Sequence, residues 1–254
     1  HRVDRRQRQM CIRDRMNAMQ ERRVVNEAGL TQFFSRIYTL MGSGLVVTAL
    51  VSYLLGFPFR AEYTSFVSGH PIVFWIMAFM PIILSFFVTG RRAQASPGYA
   101  TVMFYLMSAS FGFTFASVAM VADGTNLAVA LATTAVVFLV MSMVGHFGKR
   151  DLSKAGNIAM VALFGIIIMS IVNAFIGSSG MQLLISYGVL IIFIVLTAWD
   201  TQRLKNLYLT TGNDGQAAVS EGSLAVLGAL MLYLDFLNLF TAILQILGVG
   251  NNNN

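Results

Sequence analysis

Seven long apolar stretches separated by short polar intervals dominate this chain. The pattern places them at Ile37–Gly56, Pro71–Thr89, Tyr99–Val121, Leu127–Gly145, Gly156–Ile176, Met181–Asp200 and Ser223–Leu247. A bilayer core about 30 Å thick takes about 20 helical residues to cross. Runs this long and continuous lack the alternation of an outer-membrane strand, so the pattern predicts an all-α, polytopic membrane domain over 37–248. Residues 16–36 predict an amphipathic lead-in helix lying in the cytoplasm or along the interface, and 249–254 form a tail. Pro81 falls inside the second span and is expected to kink it. The intervals Ala122–Asn126 and Gly177–Gly180 are short enough to make tight antiparallel hairpins. Small residues, among them Gly42, Ser43, Gly44, Gly228 and Ala229, point to close helix packing.

Composition agrees with a membrane chain. Of 254 residues, 56% are hydrophobic and 11% charged, against about 25% charged in a soluble domain. The net charge of +6 does not indicate nucleic acid, because nine of the 17 basic residues fall in the first 36 positions and the rest lie mainly in short loops. The first fifteen residues, HRVDRRQRQMCIRDR, are dense in arginine and lack apolar periodicity. They read as a non-native leader, with a natural start at Met16 and no cleavable signal peptide. Cys11 is the one cysteine, so neither a disulfide within the chain nor a cysteine metal cluster is expected.

The loop charges set an orientation. Arg91 and Arg92, then Lys149, Arg150 and Lys154, then Arg203 and Lys205 follow the second, fourth and sixth spans, while the opposite loops hold Arg60. Positive residues stay inside, so the N-terminus is expected in the cytoplasm.

Candidate chemistry is confined to two acids. Asp235 lies near the middle of LGALMLYLDFLNLFTAIL and Asp200 at the end of LIIFIVLTAWDTQRLK. An ionised Asp at mid-bilayer costs about 3 kcal/mol on insertion scales, so such a residue faces the bundle interior, finds a partner or stays protonated; intramembrane acids are functional by default, and the competing reading is a protonated Asp that hydrogen-bonds a neighbouring helix. Asp200 sits either at the membrane boundary or, if the helix runs on through TQRLKNLY, at the mouth of the bundle. Were the two carboxyls to meet, they would titrate as a coupled pair and offer oxygens to a hard cation such as calcium. His70 and His146 read as solvated loop residues, and Asp151 as a local cap. No phosphate loop, nucleophile triad or histidine metal cluster is present, so neither an enzyme nor a resident cofactor is expected.

The stretches GHFGKRDLSKAGNIAMVALFGIIIMSIVN, LTAWDTQRLKNLY and LGALMLYLDFLNLF closely resemble the bacterial branch of the Bax inhibitor family, over roughly Arg22 to Gly248. Trp199 departs from the tyrosine usual before Asp-Thr-Gln. The resemblance implies a seven-helix bundle with six helices around a central seventh. It also implies that Asp200 and Asp235 form a pH sensor gating a calcium leak, with transient calcium binding. Arg92 or Arg91 would latch one aspartate in the closed state. The expected function is a pH-regulated, calcium-permeable leak channel in the bacterial inner membrane, with the lipid bilayer, calcium and protons as its partners. Two alternatives stand beside it: an interaction protein modulating a membrane-bound protease through residues 16–36, and a proton-coupled calcium exchanger.

Overall fold

The computed structural model describes residues 2–211 and 220–251, with side chains described over 28–210 and 220–248. The leader expected over 1–15, the lead-in as far as residue 27 and the tail from residue 249 fall outside the residues whose side chains are described. The described chain runs through α1 (Arg2–Gly56), α2 (Arg60–Gly69), α3 (Pro71–Thr89), α4 (Arg91–Ala95), α5 (Pro97–Val121), α6 (Gly124–Phe147), α7 (Ser153–Ile176), α8 (Ser179–Thr211) and α9 (Glu221–Asn251). No strand occurs among the described residues. Helices suit an apolar solvent because each satisfies its own backbone hydrogen bonds.

Seven helices among the described residues are long and apolar enough to cross a membrane: α1 from Ala28, α3, and α5 through α9. They coincide with the seven expected spans. Ahead of Ile37, where the pattern began the first span, the same helix already buries Leu30, Phe33 and Phe34 in the bundle. Phe33 stacks on Tyr208 with ring centroids 4.8 Å apart, so the α8 extension supplies the surface that buries it. The short helices α2 and α4 were not legible as separate elements.

The connections follow from local chemistry. Asp123 closes the α5–α6 turn by accepting a hydrogen bond from the Asn126 amide at 3.3 Å, a side-chain N-cap. Gly177 ends α7 at φ 68°, a left-handed conformation that glycine adopts without Cβ strain. Asn173 then accepts the Ser178 amide at 3.1 Å and fixes the return into α8. α3 continues as one helix through Pro81.

Burial differs sharply among the spans. Within the most apolar window, 67% of α9 is buried, against 11% of α3 and of α7. α9 packs on α8, α1, α6 and α5, while α7 packs mainly on α8. The outer faces of α3 and α7 are apolar, with Phe86 and Phe175 71% and 87% exposed, as lipid contact requires. Apolar burial gives helices little mutual attraction in lipid, so close approach of small residues carries much of the packing. Gly44 lies against Phe104 and Ser108, and Gly228 against Ile37 and Leu204. Gly42, expected to pack in the same way, has no neighbour where its Cβ would be.

Candidate functional site

Asp235 is 4% exposed on α9, and its Oδ2 is buried without a hydrogen-bond partner. The rotation of α9 is set two residues earlier. Tyr233 is fully buried toward α1 and α5, where its hydroxyl bonds Thr48 Oγ1 at 2.7 Å and its ring meets Phe104 and Phe111 edge-on at 5.4 and 5.8 Å. Two residues along an α-helix turn by about 200°, so Asp235 faces away from α5, toward α6 and α8. Phe236, packed edge-on against Phe138 of α6 at 5.7 Å, fixes the same register from the other side.

Asp200 sits inside α8, which continues through TQRLKNLY to Thr211. It is half-buried. α8 and α9 pack against each other, so the two sequence-derived candidates lie on neighbouring helices. Among the described residues, no group of three or more His, Cys, Asp and Glu gathers to hold a metal.

The two proposed latch residues lie elsewhere. Arg91 and Arg92 are exposed on α4, and the Arg92 guanidinium lies 5.4 Å from the Tyr99 ring centroid. Among the described residues, neither is ion-paired with Asp200 or Asp235; the ion pair formed is Arg36–Glu221 at 3.6 Å. Arg203, about one turn along α8 from Asp200, has its guanidinium 5.5 Å from the Trp199 ring centroid. Sequence reasoning used Arg203 only for topology. Its i+3 spacing from Asp200 was the available signal.

The residues flanking Asp200 hold α8 against its neighbours. Gln202 Oε1 accepts the Leu152 amide at 2.8 Å and its Nε2 donates to the Arg150 carbonyl at 2.8 Å. Lys205 Nζ donates to the His146 carbonyl at 2.8 Å. Trp199 covers Gly156 of α7, where a Cβ would strike the indole. Thr201 meets Ser142 Oγ at 3.1 Å, and Ser142 in turn bonds the Tyr38 hydroxyl, linking α8, α6 and α1. Expected to be a solvated loop residue, His146 is instead helical and half-buried, edge-on to Phe34 at 4.7 Å. The α1 residues assigned to the lead-in provide that aromatic wall. His70 is exposed as expected. Asp151 accepts from the Ser153 amide at 2.9 Å and hydroxyl at 2.6 Å, and these bonds hold its carboxyl below the usual carboxylate range.

Comparison with known proteins covers almost the whole bundle. The family model described as "Inhibitor of apoptosis-promoting Bax1" matches residues 30–253. A membrane protein of Streptococcus pyogenes is 38% identical over 223 residues, 88% of this chain and 95% of its own length. The protein YrjE of Lactococcus lactis is 35% identical over 225 residues, 89% of this chain and 94% of its own. The inner membrane protein YbhL of Escherichia coli is 34% identical over 221 residues, 87% of this chain and 93% of its own. The seven apolar helices and these relatives make the chain an integral membrane protein, with the E. coli relative supporting a bacterial inner-membrane placement. The chain belongs to the Bax inhibitor family.

Proposed function

We propose that the chain is a calcium-permeable leak channel whose conduction responds to pH through Asp200 and Asp235. The observation that carries this reading is Asp235: a carboxyl 4% exposed on the most buried helix, with one oxygen unpartnered. In an apolar interior an unpartnered carboxylate is costly. Taking up a proton or a cation relieves that cost, and exchange between the two would couple ion passage to pH. The burial of α9 favours six helices arranged around the seventh. In this reading Arg203 takes the part that the family resemblance gave to Arg91 or Arg92, because it stands about one turn from Asp200 on α8. The N-terminus would be cytoplasmic by the loop charges. The reading needs no enzymatic step and no resident cofactor.

The test uses protein reconstituted in liposomes with a calcium dye inside, with influx followed between about pH 6 and 8, the range in which perturbed intramembrane acids switch. Wild type should leak in a pH-dependent way, and Asp235→Asn and Asp200→Asn should each change both rate and pH dependence. Influx no greater than in empty liposomes removes the channel reading and makes the aspartates structural. Stoichiometric counter-flow of protons would replace a leak by an exchanger.

A further inference from the structure

α1 and α6 meet at one end of the bundle and part toward the other. Near the Lys149–Arg150 loop they touch through the Phe34 and His146 rings, edge-on at 4.7 Å, and through the bond between the Tyr38 and Ser142 hydroxyls. Farther along, both helices pack on α9, but Leu45 and Ala49 of α1 and Leu127 and Leu131 of α6 line a cavity of ≈ 220 Å³. Phe236 and Leu237 of α9, both buried, form its floor. Ala49, Tyr53 and Leu131 are exposed at its mouth. Beside that mouth α1 presents Val46 and Leu50, also exposed, so the cavity opens on the apolar surface that the spans turn to lipid.

The lining decides what can enter. A buried water needs about two to four polar partners. Thr48 has its hydroxyl engaged with the Gly44 and Ser108 carbonyls and the Tyr233 hydroxyl. Tyr53 lies at the mouth, which leaves Ser52 as the hydroxyl residue inside. Apolar cavities of about 150 Å³ stay dry and accept hydrocarbon guests. Left empty, the lining would forfeit its dispersion contacts. The α1 residues on the wall run from Leu45 to Phe57, about 18 Å along a helix and close to one leaflet of a core about 30 Å thick. Its small volume spread over that length makes the cavity a slot. A second helix, about 10 Å across, does not fit into it, whereas an extended hydrocarbon chain does.

We propose that this slot is a lateral binding site for one acyl chain of a membrane lipid, drawn from the leaflet opposite the Lys149–Arg150 loop. The chain lies between α1 and α6 on the α9 floor and fills the seam that these two helices leave open. Such occupancy is independent of whether the protein conducts ions.

The experiment places the full chain in phosphatidylcholine–phosphatidylglycerol vesicles that include a phosphatidylcholine with a diazirine midway along one acyl chain. Brief illumination cross-links what the chain touches, and digestion with mass spectrometry locates the adducts. Leu237 and Phe240, which line the slot, should carry adducts several-fold above Leu232, buried elsewhere on α9. Phe175, exposed on α7, is labelled by bulk lipid and reports an intact bundle. Ala49→Phe sets a ring across the mouth and should cut labelling of Leu237 and Phe240 several-fold while leaving Phe175 unchanged. Val136→Phe, at an exposed α6 position outside the lining, should alter neither. Labelling of Leu237 and Phe240 no greater than that of Leu232 overturns the site. Undiminished labelling in Ala49→Phe overturns entry between α1 and α6. Should Ala49→Phe also lower the labelling of Phe175, the fold has changed, and the comparison of Leu237 with Leu232 in the parent protein decides.

Discussion

Gln202 and Leu152 are joined across the α6–α7 connection: the Gln202 Oε1 accepts the Leu152 amide at 2.8 Å. The Gln202 Nε2 donates to the Arg150 carbonyl at 2.8 Å, so one side chain pairs with the loop backbone as a neighbouring strand would. Asp200, two residues earlier on α8, inherits its position from this clamp. The motif around Asp200 thus combines one acid that faces the interior with a set of residues that hold the helix carrying it.

Gln202→Ala should leave the Leu152 amide and Arg150 carbonyl without their partner and loosen the loop. An unmade buried hydrogen bond costs about 1–3 kcal/mol, and partial access to water places this site toward the lower end. Thermal unfolding in detergent should fall by a few degrees, with the largest gain in protease cleavage near Lys149 and Arg150. An unchanged cleavage pattern would show that the clamp does not hold the loop.

Gly156→Ala should drive a methyl into the Trp199 indole. Overpacking of this kind costs about 1–3 kcal/mol. Because the two residues are in direct contact, Trp199→Leu should recover much of that loss in the double variant. Strict additivity of the two changes would mean that the contact does not set the α7–α8 spacing.

Tyr233→Phe should lose the bond to Thr48 and cost about 1 kcal/mol, the scale measured for hydrogen bonds between membrane helices. Thr48→Val should cost more, since it removes both the bond to the Tyr233 hydroxyl and the one that Thr48 Oγ1 donates to the Ser108 carbonyl at 2.9 Å. The order of the two variants in a denaturation series checks this. The reverse order would mean that the tyrosine hydroxyl finds another partner.

Asp235→Asn should leave stability equal or raise it, because a neutral amide replaces a buried acid whose Oδ2 has no partner. Calcium influx should nevertheless change several-fold. A large fall in stability would show that the carboxyl is bound within the fold.

Asp151 provides a pH-dependent contact outside the membrane. Its carboxyl is held below its ordinary value by Ser153, so its contribution is present above the unfolded pKa of about 3.9 and is lost as pH falls through the lower folded value. Hydrogen exchange at the Ser153 amide should therefore accelerate in acid beyond its intrinsic pH trend, and Asp151→Ala should show the faster exchange already at neutral pH. Identical protection in the variant would remove the cap.

The sequence by itself determined that the chain crosses a membrane through seven helices, because bilayer thickness and the cost of unpaired backbone dictate the length and apolarity of a span. It also singled out Asp235, since a carboxyl within an apolar run has few cheap explanations. The register of α9 was not legible, because its apolar residues surround the helix on every side; Tyr233, Thr48 and Phe138 fix which way Asp235 points. The same holds for the buried start of α1, whose Phe33 and Phe34 look interfacial until Tyr208 and His146 from distant helices cover them. Contacts between residues far apart in the chain leave no local pattern, and the tertiary structure alone decided them.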